Sequence, residues 1–154
     1  MFSRSFGLAV ILAAPLALAG CANKAEVDAS AIAPGSPRDF VVNVGDRVFF
    51  ETDSTDLTPT AVATLDRQAG WLTRHGGGAV VVEGHADERG TREYNFALAA
   101  RRAQVVRDYL ASRGVERIRT VSYGKERPVA VCNDISCWSQ NRRGVTVVGT
   151  GAGT

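Results

Sequence analysis

The sequence has little of what most enzymes and nucleic-acid binders need. Its 154 residues contain two histidines and three cysteines. His75 and His85 stand in no compact ligand spacing with Cys132 and Cys137, so no metal site is expected. Lysine and arginine number 18 against 16 acidic residues, a net charge of +2. They are dispersed rather than gathered in runs, which excludes the electrostatic footprint of a nucleic-acid-binding protein. His85 lies beside Asp87 and Glu88, but no nucleophile or second histidine stands in an ordered relation to it, so no enzyme is expected. The acidic stretch Glu51-Thr52-Asp53-Ser54-Thr55-Asp56 lacks the glycine and terminal glutamate of a helix–loop–helix calcium site. The apolar run from Leu8 to Leu18 is too short for a comfortable membrane-spanning helix.

That short run nevertheless has a meaning. Arg4 supplies a basic start, the run an apolar middle, and Leu18-Ala19-Gly20-Cys21 a small-residue cleavage site ending in cysteine. Leu-Ala-Gly-Cys resembles the bacterial lipoprotein box. It implies cleavage before Cys21, an S-diacylglycerol thioether on its sulfur and an N-acyl chain on its new amino group, two or more chains being enough for stable anchoring. Ala22 follows, where Asp in such lipoproteins often means retention at the inner membrane, so the resemblance favours the outer membrane. No cofactor beyond this covalent lipid is expected. Cys132 and Cys137 remain as an even pair in an oxidising compartment, and a disulfide is expected between them. It closes a small loop and contributes roughly 2 kcal/mol by chain entropy. From Ala22 to about Asp39 the chain is rich in Ala, Ser, Pro and Gly without a sustained period. It reads as a flexible tether with an r.m.s. span of roughly 20–25 Å.

Beyond the tether, Arg47-Val48-Phe49-Phe50 reads as a strand. Thr58-Pro59 reads as N-cap and first position of a helix whose buried stripe is Val62, Leu65, Ala69 and Leu72. Trp71 falls off that stripe and is expected to be partly exposed. Ala79-Val80-Val81-Val82 is a second strand. Ile118 to Tyr123 is a third and Val145-Thr146-Val147-Val148 a fourth. The connection from Gly124 to Arg143 is long for a compact domain and is therefore suspected of function. The fold class is α/β, an α+β sandwich of order β-α-β-α-β-β, with two helices packed on one face of a small mixed four-stranded sheet.

The most informative stretch runs from Glu83 to Ala103. After the second strand comes a polar loop, then a helix with Thr91 as N-cap, Glu93 in its first turn and Gly114 at its C-terminal stop. Leu98, Ala99, Val105, Val106, Tyr109 and Leu110 share one side of that helix. Arg102 falls near the middle of the same side, as does Asn95, while Arg101 lies on the flank. A guanidinium on a buried face is expensive unless it is paired. Either Arg102 snorkels or pairs internally with Asp87 or Glu83, or Asp87 and Arg102 flank a pocket. Such a pocket has one acidic and one basic arm and suits a zwitterion.

Gly84-His85-Ala86-Asp87-Glu88-Arg89-Gly90-Thr91, with Glu93-Tyr94-Asn95 and Arg101-Arg102-Ala103, resembles the signature of the OmpA C-terminal-like family, in its peptidoglycan-associated lipoprotein branch. Val48-Phe49-Phe50-Glu51-Thr52-Asp53-Ser54, Ser122 to Pro128 and Asn141-Arg142-Arg143-Gly144-Val145 resemble the same family in the same order, over roughly residues 40–149. The resemblance implies a signal peptide (1–20), a lipidated cysteine and tether (21–39), a peptidoglycan-binding domain (40–149) and a tail (150–154). It implies that Asp87 receives the amino group of diaminopimelate, Arg102 its carboxylate, and that Arg142 lines the pocket. Asn95 and the loop Asp53-Ser54-Thr55 would hydrogen-bond the rest of the stem peptide. Thr52 departs from the family, which usually has Phe there. His85 is expected to close the strand end with hydrogen bonds, and Arg143 to be either solvated or turned to a sheet face. The implied protein sits at the periplasmic face of the outer membrane and ties it to peptidoglycan. It would partner the TolB protein and other Tol-system proteins in envelope constriction at division. An adaptor that binds only protein partners is the alternative.

Overall fold

Two threonines start the two long helices. Thr58 Oγ1 accepts the Ala61 N–H at 3.2 Å ahead of Pro59, and Thr91 Oγ1 accepts the Tyr94 N–H at 3.2 Å. Both satisfy a donor that a helix start leaves without an intrahelical partner. In this computed structural model residues 32–75 and 78–149 are described; the signal peptide, Cys21 and the tail 150–154 lie outside the described residues. The elements are α1 (Pro37–Asp39) continuing into π-helical turns (Phe40–Val44), β1 (Arg47–Phe49), α2 (Pro59–His75), β2 (Val80–Gly84), α3 (Arg92–Ser112), β3 (Ile118–Ser122), α4 (Ile135–Asn141) and β4 (Arg143–Val148). α3 stops as expected, at Gly114 with φ 88°, a left-handed backbone that glycine adopts without a Cβ penalty. None of these helices is long and apolar enough to cross a membrane.

The sheet order is β1-β4-β2-β3. β2 and β3 run parallel, and β4 lies antiparallel to both β1 and β2. The expected order of strands and long helices holds, with α1 and α4 added. Val80, Val82, Val48 and Thr146 point toward the helices and are buried, whereas Phe49, Val121 and Val147 on the opposite face are exposed. Alternation along the strands thus gives one face to the core and leaves the other open. Leu65, Leu72, Ala103, Val106 and Leu110 complete the core from α2 and α3.

Three expectations need correction here. Trp71 is 6% exposed: α1 folds over it, Phe40 packs at 4.9 Å between ring centroids, and the indole N–H donates to Asp39 Oδ2 at 2.7 Å. The segment taken as tether is therefore structured from Ser36, whose Oγ caps α1 by accepting from Asp39 N. The α2 stripe is also displaced, Val62 being half-buried while Ala61 and Gln68 are buried. Gln68 is satisfied on both sides. It donates to Gly45 O and accepts from Thr146 Oγ1, each at 2.7 Å, as a buried amide requires.

The long connection is folded. Asn141 Oδ1 accepts from Val129 N and Ala130 N, and its Nδ2 donates back to Ala130 O. Cys132 and Cys137 are joined, with 5.7 Å between their Cα atoms, and Asp134 caps α4 by accepting from Ser136 N at 2.8 Å.

Candidate functional site

β2 delivers the chain to the site, and its last residue decides how close α3 can lie. A Cβ on Gly84 would stand 1.8 Å from Ala99 O, so only glycine lets the α3 backbone rest on the strand. This contact brings Asn95 and Arg102 of α3 to the mouth of the loop that follows β2. His85 N donates to Arg143 O and Ala86 N to Gly124 O, which holds the loop and Asp87 in place.

Asp87 is 7% exposed. Arg89 embraces its carboxylate through Nε to Oδ1 at 3.1 Å and Nη2 to Oδ2 at 2.6 Å, while its backbone N–H donates to Oδ1 at 3.2 Å. Arg142 approaches from behind, Nη1 to Oδ2 at 3.3 Å. Burial raises the Asp87 pKa, but the hydrogen bonds from Arg89 and Arg142 outweigh it and hold the carboxyl below its ordinary value.

Arg102 neither snorkels nor pairs with Asp87 or Glu83. It is fully buried and donates to three main-chain carbonyls: Nε to Ser54, Nη1 to His85 and Nη2 to Glu51, each at 3.0 Å. The guanidinium also lies 5.2 Å from the Phe50 ring centroid. Burial and then Arg142 lower its pKa to about 10, so it is charged at neutral pH. A buried cation is thus supported by oriented backbone dipoles rather than by an ion pair.

These groups surround an open cavity of about 290 Å³, lined by Thr52, Asp53, Asp87, Arg89, Asn95 and Arg102, with Gly90, Tyr94 and Leu98. Asn95 Nδ2 donates to Arg89 O at 2.7 Å, and the Tyr94 hydroxyl donates to Asp53 Oδ1. Of the residues expected from sequence, Asp53, Asp87, Asn95 and Arg102 come together here. Ser54 and Thr55 do not line the cavity: Ser54 spends its carbonyl on Arg102 and its Oγ on Asp56 N. Arg142 is a backing residue, tied to Phe50 O at 2.9 Å and to Asp87. Arg143 is not solvated. It is 4% exposed and donates to Asn141 O and Arg127 O.

Sequence reasoning passed over Arg89 and Trp138. Arg89 follows Asp87 by two residues in a loop, where no periodicity tells which way a side chain turns. Trp138 sits on α4, and its ring lies 4.2 Å beneath the Arg89 guanidinium. Its indole N–H donates to Glu88 Oε1 at 3.0 Å.

His85 also departs from expectation. Its backbone is hydrogen-bonded, but neither ring nitrogen has a hydrogen-bond partner among the described residues, and Glu83 Oε2 lies 3.6 Å from Nε2. Burial first, then Arg143, Arg127 and Arg47, push the imidazole down to about 4 from 6.5. A histidine kept neutral by folding costs nothing above pH 6.5. Its penalty grows as pH falls from 6.5 toward 4 and then levels off, about 3 kcal/mol in all. Urea titrations between pH 7 and 4 should show that decline, and His85→Asn should flatten it. An unchanged slope in the variant would assign the acid sensitivity to other groups.

The model of the OmpA family matches residues 49–142. The peptidoglycan-associated lipoprotein of Rhizobium meliloti is 61% identical over 156 residues, covering 94% of this chain and 88% of its own length. That of Agrobacterium fabrum is 63% identical over 150 residues, covering 90% of this chain and 84% of its own. Among solved structures, the crystal structure of the peptidoglycan-associated lipoprotein from Burkholderia pseudomallei superposes with a TM-score of 0.67 at 37% identity, over 73% of this chain and 98% of that one.

Proposed function

The chain belongs to the OmpA family, and from that premise we propose that it is a non-enzymatic lipoprotein that binds peptidoglycan and tethers a membrane to it. Cys21 is the lipidated anchor, and the domain grips the stem peptide non-covalently. The observation that carries this reading is the cavity itself: a nearly buried carboxylate, Asp87, and a buried cation, Arg102, on the walls of one opening. An ammonium is drawn to Asp87 and a carboxylate toward the fixed charge of Arg102, a pattern that suits the zwitterionic end of diaminopimelate. Asn95 and Asp53 offer polar contacts beside them. The protein sits at the periplasmic face of the outer membrane. TolB and other Tol-system proteins are its partners there, in a role in envelope constriction during division. Family membership and the lipoprotein box support that part. An anchorage of many weak, reversible links shares load through multivalency.

The test is co-sedimentation of the detergent-solubilised protein with purified sacculi. Wild-type protein and Arg101→Ala, which alters an exposed residue, should pellet alike. Asp87→Asn should lose at least about tenfold in affinity, because an amide offers an ammonium no charge. Equal pelleting by Asp87→Asn would remove the cavity as the site. Failure of the wild type to pellet would remove peptidoglycan as the ligand and leave an adaptor for protein partners.

A further inference from the structure

The chain enters the domain at one end of the sheet, and the cavity opens at the other. β2 runs from Val80 to Gly84 and delivers the chain to Asp87, whereas Gly35 and Pro37 share a cleft with His75, Val80 and Val148 at the opposite end. From Ser36 the chain winds through α1 and its π-helical turns against the half of α2 that ends at His75. Phe40 on Trp71 and the bond from Gln68 to Gly45 O hold it there. Phe40 is buried and Val44 packs against the core. Val41 and Val42 turn outward, 48% and 57% exposed. Arg38, three and four residues before them, is exposed on the same side of these helical turns. Asp39, the one acid between residues 33 and 45, is turned inward to Gly35 N, Asn43 and the Trp71 indole. Arg74, exposed in the last turn of α2, adds a second cation at this end. Arg92, Arg107 and Arg113 pair with carboxylates on the surface, but Arg38 and Arg74 form no such pair among the described residues. The result is an apolar tip with a basic rim.

We propose that this face, Val41 and Val42 with Arg38 and Arg74, seats the domain on the phospholipid bilayer that holds Cys21 and so points the cavity away from the membrane. The inference rests on the lipid-anchor part of the reading above and not on the identity of the ligand. The chain from Cys21 to Ser36 is about 15 residues, at most roughly 50 Å fully extended, so the bilayer surface is within reach of α1. The valine side chains enter the acyl boundary, and the guanidiniums take lipid phosphates. So small a contact would hold a free domain only weakly. A short connection to the anchor raises the local concentration of the surface to about the millimolar range, where a weak contact is occupied and still reversible. The five residues of β2 separate the two ends of the sheet by roughly 15 Å. A seated domain therefore presents its cavity to the side where the wall lies.

The lipidated chain, reconstituted in vesicles of phosphatidylethanolamine with about one quarter phosphatidylglycerol, tests this by photo-crosslinking to lipids that carry a diazirine in the acyl chain. Adducts are located by peptide mass spectrometry. Wild type should carry at least about fivefold more adduct on residues 38–44 than on residues 129–135. The second segment exposes Val131 and Ile135 more fully than Val41 and Val42 are exposed, but lies at the cavity end. Val41→Ser with Val42→Ser should bring 38–44 down to the level of 129–135 and leave co-sedimentation with sacculi unchanged. Arg38→Glu should lower the yield about threefold in these vesicles and hardly at all in pure phosphatidylcholine. Equal adduct on the two segments in wild type would overturn the proposal, as would an undiminished yield in the double serine variant. Dimerisation through Val41 and Val42, with no lipid adducts there, would give the face to a second copy and overturn it too. A chain without acyl groups on Cys21 would overturn the anchor reading and the inference with it. Adducts in place without pelleting on sacculi would support the seat and overturn only the peptidoglycan reading.

Discussion

Arg102→Ala is expected to destabilise the domain by about 3–5 kcal/mol, read as a fall in denaturant midpoint at unchanged slope. The side chain is the largest fully buried one among the described residues, and it ties the carbonyls of Glu51 and Ser54, in the β1–α2 connection, to that of His85 after β2. Its removal leaves three acceptors without their donor and a hole the size of a guanidinium beneath the cavity. Unpaired buried acceptors cost about 1–3 kcal/mol each, reduced where water reaches them. Arg102→Lys should recover only part of the loss, because one ammonium does not span three carbonyls in a planar fork. A change within about 0.5 kcal/mol would show that the loops hold their shape without the arginine. The consequence for function is direct. Loss of sacculus binding in Arg102→Ala mixes a folding defect with a binding one, whereas Asp87→Asn and Arg89→Ala change the cavity with the clamp in place.

Gly84→Ala is expected to cost at least about 3 kcal/mol, and Gly144→Ala about 1 kcal/mol, in parallel thermal and denaturant unfolding. The two glycines face each other across β2 and β4, but a methyl group on each would meet different obstacles. At Gly84 it would meet the α3 backbone, 1.8 Å from Ala99 O and 2.7 Å from Ala99 C. At Gly144 it would meet the Val106 side chain at 3.1 Å and the Phe50 ring at 3.5 Å, groups that give by a few tenths of an ångström. Relief at Gly84 requires α3 to move off a strand that is pinned on both sides by β3 and β4. That displacement would carry Asn95 and Arg102 away from Asp87. Gly84→Ala should therefore also lose sacculus binding, even at temperatures where it stays folded. Equal costs at the two positions would show that α3 does not rest on β2 as closely as described.

Much of this was legible from local chemistry. A threonine before a first helical turn, a glycine after a last one and runs of β-branched residues act within a few positions of themselves. α2, α3 and the four strands therefore lie close to where the residues put them. Arg102 on an apolar face was equally visible, because a 3.6-residue period carries a misplaced charge as plainly as a misplaced leucine. Its partners were not visible. Whether a buried guanidinium meets Asp87, Glu83 or three carbonyls depends on where loops from distant parts of the chain are brought. Trp71 was misjudged for a related reason: the helix period placed it at the edge of the buried stripe, and only the docking of α1 covered it.

By itself the sequence determined the elements, the lipoprotein box, the glycine that ends α3 and the presence of Asp87, Asn95 and Arg102 near one strand end, since each follows from residue type and short-range spacing. Tertiary structure alone decided that Arg102 clamps backbone, that Arg142 stands behind Asp87 rather than in the cavity, and that Arg89 occupies the carboxylate over Trp138. Side chains in loops follow no period. Their direction is set by which charges and rings the folded sheet and helices bring within a few ångströms of them.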